Sequence, residues 1–211
     1  MKKIKAVILD LGVVIINIDQ EKTRMAFEQL GLNLKDVNES LPFFLQLEKG
    51  KISKESFIYS IKQLLNNNAT DEQIIKAWNA MILDLPANRI SLINELSNHY
   101  AVFLLSNTNV FHIEEIMGNI NQYHPNLNWE STFEKIFLSY EIGHRKPDAA
   151  CYEYVLNDIK LHAHETIFVD DSKSNIEGAE KVGINCIWTQ KAIDTWLWDE
   201  IKKYDPDLQL H

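Results

Sequence analysis

A chain of 211 residues, 45% hydrophobic and 24% charged, is sized for one large α/β domain or a smaller core carrying an inserted unit, and it buries a core without disulfides or a structural metal. Its 21 basic against 30 acidic side chains give a net charge of −9, which argues against non-specific nucleic-acid binding but leaves a phosphate-bearing ligand open if a cation reverses the field locally. No stretch reaches the ~18 apolar residues of a membrane span, Asp10 interrupts the N-terminal apolar run, and Cys151 and Cys186 stand far apart as two reduced thiols, so a cytoplasmic protein is expected.

Residues 4–9 read as the first strand, a short apolar run without clean alternation, as expected where both faces are covered. The next such run is distant, and the gap over 17–86 is too long for one crossover and is helical in content. Short helices are expected over 21–30 and 41–49. Ser53 caps a helix over 54–65 with Phe57, Ile58, Ile61, Leu64 and Leu65 at helical spacing. Asn66, Asn67 and Asn68 read as a loop, and Thr70-Asp71-Glu72-Gln73 is a capping box opening a helix over 74–82. The division expected is an all-helical inserted domain over 17–86 and a core formed by 1–16 and 87–211.

Helix and strand alternate after the insert. Helices are expected over 88–98, 112–120, 149–156 and 175–182, the last stopped by Gly183. Strands are expected over 100–105, 135–138, 166–169 and 185–188. The pattern predicts an α/β fold: a doubly wound, Rossmann-like parallel sheet of five or more strands with right-handed crossovers.

Ligands of such sheets bind beyond the carboxyl ends of the strands. Those ends carry Asp10; Ser106 and Asn107; the loop Arg145-Lys146-Pro147-Asp148; and Asp170 with Asp171. Each has an ordinary reading as a helix cap, a first-turn acid or a solvated lysine. Together they supply hard oxygen ligands suited to Mg²⁺, a lysine to steady a phosphate, and a carboxylate able to attack phosphorus.

The segments ILDLGVV, LLSNTN, HRKPD and FVDDSKSNIEGA resemble, in order and spacing, the four motifs of the haloacid dehalogenase superfamily, and the helical insert resembles that family's helical cap domain. The wording LSNTN, RKP and NIEGA looks most like the bacterial α-D-glucose-1-phosphate phosphatases. The resemblance implies a Mg²⁺-dependent phosphatase of a small phosphorylated metabolite, acting on neither nucleic acid nor membrane. It implies Asp10 as nucleophile and metal ligand, the Gly12 carbonyl and Asp171 at the metal, and Asp170 beside them, either on the metal or supporting a ligand. It also implies Ser106 and Asn107 on the phosphate, Lys146 on nucleophile and phosphate, and Asn175 supporting the acidic loop. Family phosphatases usually place a second aspartate where this chain has Gly12, so the general acid is open; Asp19, better suited as an N-cap, and His112 and His144 are the candidates. Three rivals remain: a dehalogenase, which needs no acid pair; a receiver domain, whose acids come in the opposite order; and a non-catalytic phosphate-binding protein. Phe43, Phe44, Trp78 and Tyr140 read equally as core or pocket.

Overall fold

The computed structural model describes residues 3–32, 42–66 and 68–209. Five strands form one parallel sheet: β1 (Ala6–Leu9), β2 (Ala101–Ser106), β3 (Lys135–Leu138), β4 (Thr166–Asp170) and β5 (Asn185–Trp188), in the order β3-β2-β1-β4-β5. The chain winds outward from β1 to β3, then returns to the other side of β1 for β4 and β5, so the order reverses between β1 and β4.

Alternate residues of each inner strand feed opposite layers, as the period of two requires. Val7, Leu9, Val102, Leu104, Ile167 and Val169 join one apolar cluster. It also takes in residues of α5 (Ala87–Ser97), α6 (Val110–Tyr123) and α10 (Trp196–Lys202). Ala6, Ile8, Phe103, Leu105 and Phe168 join a second, with α8 (Ala149–Ile159) and α9 (Lys173–Lys181). With both faces covered, the strands have no solvent side to alternate against. A single turn, α7 (Ser139–Ile142), follows β3.

The insert holds α1 (Gln20–Gln29), α2 (Pro42–Glu48), α3 (Lys54–Leu64) and α4 (Asp71–Asn79). The Thr70–Gln73 capping box forms, and Ser53 caps α3 by accepting from Ser56 N. A third apolar cluster binds these helices, built on Phe27, Phe44, Phe57, Ile61 and Ile74, and Phe111 of α6 enters it from the sheet layer. The segments entering and leaving the insert pair antiparallel: Asn17 N donates to the Asp84 carbonyl (2.9 Å), Leu83 N to that of Asn17 (3.0 Å) and Asp19 N to that of Met81 (2.9 Å). Leu41 and Asn67, included in the expected helix over 41–49 and the expected loop, lie outside the described residues.

Several boundaries differ from expectation for local reasons. α6 begins two residues early because Asn109 caps it, its side chain accepting from Phe111 N and His112 N. α4 starts at Asp71, directly after its N-cap Thr70 and three residues earlier than expected, and ends at Asn79, three residues short of expectation. β4 runs one residue further, so Asp170 is the last strand residue. The sequence reading contained neither α7 nor α10; the seven residues of α10 are too few for a periodic signal, though Leu197, Trp198 and Ile201 are buried. No helix among the described residues is long and apolar enough to cross a membrane.

Candidate active site

Strand register assembles the site. Leu9 of β1 lies opposite Val169 of β4 and Leu104 of β2. The next residue along each strand is therefore Asp10, Asp170 and Leu105, side by side at the sheet's carboxyl edge, where the strand order reverses. Lys146 enters this point from the loop before α8. Its side chain is fully buried, and Nζ donates to Asp10 Oδ1 (2.5 Å), Asp170 Oδ2 (2.7 Å) and the Leu105 carbonyl (2.9 Å). All three ammonium protons thus find acceptors, which is what makes a buried lysine tolerable.

The two acids flanking Lys146 are held differently. Asp170 Oδ1 accepts from Ser172 N (2.8 Å) and Asn175 Nδ2 (3.0 Å), and Oδ2 from Lys146 and again from Asn175 (3.1 Å). Asn175 is itself anchored by its carbonyl, which accepts from the Tyr152 hydroxyl at 2.6 Å. Asp170, expected from sequence either on the metal or supporting a ligand, has both oxygens occupied by protein donors. Asp10 is freer. Burial is the main force raising its carboxyl to about 7, Lys146 opposes it, and Asp170 adds to the rise. Burial alone would lower the Lys146 ammonium, yet Asp10 and Asp170 hold it above its ordinary value. Asp171 is half-buried and raised by burial first and by Asp170 second.

A cavity of about 610 Å³ opens above this floor. Asp10, Gly12, Ser106, Asn107, Lys146, Asp171 and Asn175 line it from the sheet side. From the helical layer come Gln20, Glu21 and Arg24 of α1, Phe44 and Glu48 of α2, and Trp78 and Met81 at the end of α4. Asn107 lines the cavity and its amide also clasps the Lys146 main chain, Nδ2 donating to the carbonyl (2.8 Å) and Oδ1 accepting from the amide (2.9 Å). The Gly12 carbonyl accepts from Val14 N (2.6 Å), leaving its second lone pair.

Ion pairs join α2 and the residue after it to both sides of Lys146. Arg145 Nε donates to Glu48 Oε2 (2.9 Å), and Lys49 Nζ to Asp148 Oδ2 (3.1 Å). Of the acid candidates, Asp19 caps α1 by accepting from Glu21 N. His112 lines the cavity, but Asn109 and the Trp78 carbonyl engage both ring nitrogens, and burial lowers it to about 4. His144 packs on the Tyr154 ring. Among the described residues no three His, Cys, Asp or Glu side chains converge as a metal cluster.

The model of the haloacid dehalogenase-like hydrolases matches residues 7–189, most of the chain and all four strand-end motifs. The chain belongs to that family. This hydrolase is 31% identical over 200 residues to a D-ribitol-5-phosphate phosphatase of Bacteroides thetaiotaomicron, covering 90% of this chain and 94% of that one. It is 29% identical to a sesquiterpene phosphatase of Aspergillus oryzae, over 85% of this chain and 87% of that one. Its fold superposes on a haloacid dehalogenase family enzyme of B. thetaiotaomicron crystallised with magnesium and inorganic phosphate, with a TM-score of 0.84, 32% identity, and 92% and 98% of the two chains covered.

Sequence reading of this hydrolase missed the supports. Ser139 Oγ accepts from Thr108 N and donates to the Thr108 carbonyl (3.0 Å each), bracing the turn after Ser106 from the start of α7. Tyr152 braces Asn175. A Cβ on Gly178 would stand 2.5 Å from the Pro147 carbonyl oxygen, so α9 packs directly on the Lys146 loop. Only the last had a visible signal, a glycine inside a helical pattern.

Proposed function

We propose that this hydrolase is a magnesium-dependent phosphatase of a small polyhydroxylated phosphate monoester, a polyol or sugar phosphate with glucose 1-phosphate among the candidates, acting through an aspartyl-phosphate on Asp10. The observation that carries this reading is the Lys146 ammonium, buried between Asp10 and Asp170 at the floor of the cavity. The magnesium- and phosphate-bound relative and the ribitol-phosphate phosphatase support it.

The donor set fits a hard divalent cation. With all three ionised, Asp10, Asp170 and Asp171 outnumber Lys146 by two charges where a phosphate dianion must bind, and the rise of Asp10 and Asp171 reflects that crowding as well as burial. Asp10, Asp171 and the Gly12 carbonyl would hold Mg²⁺, which supplies the charge that lets an anion approach a carboxylate. Ser106 holds a phosphate oxygen, while Lys146, its three protons on Asp10, Asp170 and the Leu105 carbonyl, fixes the nucleophile and offsets the anion's charge. Asn107 and Asp170 keep Lys146 in place. An Asp10 oxygen bonds to phosphorus as the ester P–O bond breaks and the electron pair leaves with the alcohol oxygen. Water then attacks the acyl phosphate, and phosphate departs as Asp10 is regenerated. Gly12 supplies no proton to the leaving oxygen, which favours substrates whose leaving oxygen is weakly basic, such as the anomeric oxygen of a sugar 1-phosphate.

The helical layer over residues 17–86 acts as the specificity-bearing cap. Gln20, Glu21 and Arg24 offer hydroxyl partners, and Phe44, Trp78 and Met81 offer apolar surface. That mixed lining suits a ligand carrying both hydroxyls and C–H groups. The aromatic wall and the sesquiterpene phosphatase relative favour a second reading, a prenyl phosphate.

The test is phosphate release from ribitol 5-phosphate, glucose 1-phosphate and a sesquiterpenyl phosphate, with Mg²⁺ and with EDTA. Metal-dependent turnover of the polyhydroxylated esters is expected. Preference for the prenyl ester selects the second reading. Halide release from a haloacid in EDTA, or phosphate binding without turnover of any ester, overturns both.

A further inference from the structure

Trp188 ends β5, is 49% exposed and belongs to none of the three apolar clusters. A tryptophan left half in solvent contributes less burial than a core ring, so its position calls for another explanation. Trp188 is the register partner of Asp170, and the amide of the following residue, Thr189, donates to the Asp170 carbonyl at 3.1 Å. The indole reaches one residue further along the neighbouring chain, and its only N–H donates to the Asp171 carbonyl at 2.9 Å.

Consecutive acids are therefore fixed from opposite sides. Asp170 is held from inside by Lys146, Ser172 and Asn175, while the main chain of Asp171 is held from outside by Trp188. Asp171 sits just past the end of β4, where the ladder no longer restrains it, and a small rotation there would swing its carboxylate out of the cavity. We propose that Trp188 is a positioning residue for the metal site: its indole N–H locks the peptide that follows Asp171 and so aims the Asp171 carboxylate at the cation. The inference rests on Asp171 being a Mg²⁺ ligand. Partners outside the ligand shell typically change metal affinity 10–100-fold when removed.

The test is a calorimetric Mg²⁺ titration of wild type, Trp188→Phe and Asp171→Ala, with metal-free thermal unfolding of each. Trp188→Phe keeps a ring and loses the donor. Wild type should bind, Asp171→Ala should lose binding, and Trp188→Phe should bind about tenfold more weakly. Its metal-free melting temperature should match wild type, and kcat should recover at saturating Mg²⁺. Wild-type affinity in Trp188→Phe, while Asp171→Ala is impaired, overturns the role of Trp188 and leaves the metal reading standing. A large fall in metal-free stability likewise overturns it, because the ring would then be a packing element. Absence of Mg²⁺ binding by wild type, or full binding by Asp171→Ala, removes the metal reading and the inference with it.

Discussion

The side-chain amide of Asn107 holds Lys146 by its main chain at two points, 2.8 and 2.9 Å, across 39 residues of sequence. The ammonium at the other end of that lysine meets Asp10 and Asp170. Asn107→Ala should remove the clasp while leaving the charges in place. Loss of about 10²-fold in kcat/KM is expected, the usual scale for a reacting group displaced by about 1 Å. Asn107→Asp should be worse, since it sets an acceptor against the Lys146 carbonyl. Steady-state kinetics beside thermal unfolding check this; wild-type rates in the alanine variant would show the clasp to be incidental.

Two substitutions at the same ion cluster should separate stability from chemistry. Lys146→Ala leaves Asp170 buried without its cation, which costs about 3–5 kcal/mol and abolishes turnover. Arginine should not rescue it, because a planar fork does not fit a fully buried slot built around one nitrogen. Asp10→Asn should leave turnover below about a thousandth of wild type with stability unchanged or raised, because burial disfavours the Asp10 charge in the fold. Denaturant unfolding with single-turnover assays gives both readings.

Gly12 does not occupy a left-handed conformation, and a Cβ there meets chiefly the tip of Ile18, 3.1 Å from Cδ1. Gly12→Asp is therefore accommodated by a small shift of a flexible side chain. General acid assistance contributes about 10²–10⁴-fold and most for poor leaving groups, so the variant should speed alkyl phosphates more than aryl ones. Comparison of kcat/KM across leaving groups decides it. Equal wild-type rates for alkyl and aryl esters, with chemistry rate-limiting, would mean that another group already donates the proton.

Gly178→Ala brings a methyl group to 2.5 Å from the Pro147 carbonyl oxygen and 3.1 Å from Tyr152 Cε2. Neither main chain nor the wedged ring can yield cheaply, so α9 or the Lys146 loop must move. A loss of about 1–3 kcal/mol is expected, with kcat falling more than KM rises. A variant of wild-type stability and kcat would show that the packing has slack.

His112 is held neutral. Its Nδ1 accepts from Asn109 Nδ2 (3.2 Å), so Nε2–H faces the Trp78 carbonyl (3.4 Å), and burial lowers the imidazole from 6.5 to about 4. Between those values the unfolded chain binds a proton that the fold refuses, so this contribution is present above about pH 6.5 and lost as pH falls toward 4. From pH 7 to 5 wild type should lose up to about 2 kcal/mol more than His112→Asn. Urea unfolding of both proteins at the two pH values tests it; parallel losses would show a freely titrating imidazole.

The sheet and the residues at its strand ends were legible because apolar runs and abrupt polar residues are local signals. Asp10, Ser106 and Asp170 follow or end their strands as read. What Asn107 does was not legible, since a cap, a phosphate ligand and a clasp on a lysine use the same amide. The resemblance separates Asp171, as metal ligand, from Asp170, as direct ligand or support, but the sequence does not show that Asp170 faces Lys146 and Asn175 while Asp171 faces the cavity. Trp188 and Tyr152 carry no motif and act through single hydrogen bonds to main-chain carbonyls, visible only once the fold brings them near.

The pairing of Leu9 with Val169 has a consequence for how the molecule forms. Aligning β1 with β4 sets the carboxylates of Asp10 and Asp170 beside each other before any ligand arrives, and a slip of one residue would turn both strands' apolar sets to the wrong layers. The central pairing of the sheet is thus correct in hydrophobic register and repulsive in charge at its edge. Lys146 settles that conflict, and it comes from a loop between β3 and α8, 136 residues after Asp10 and 24 before Asp170. Docking of that loop therefore both offsets the repulsion at the sheet edge and places an ammonium on Asp10, and a chain with the sheet formed but this loop undocked would leave the two acids facing each other without a cation.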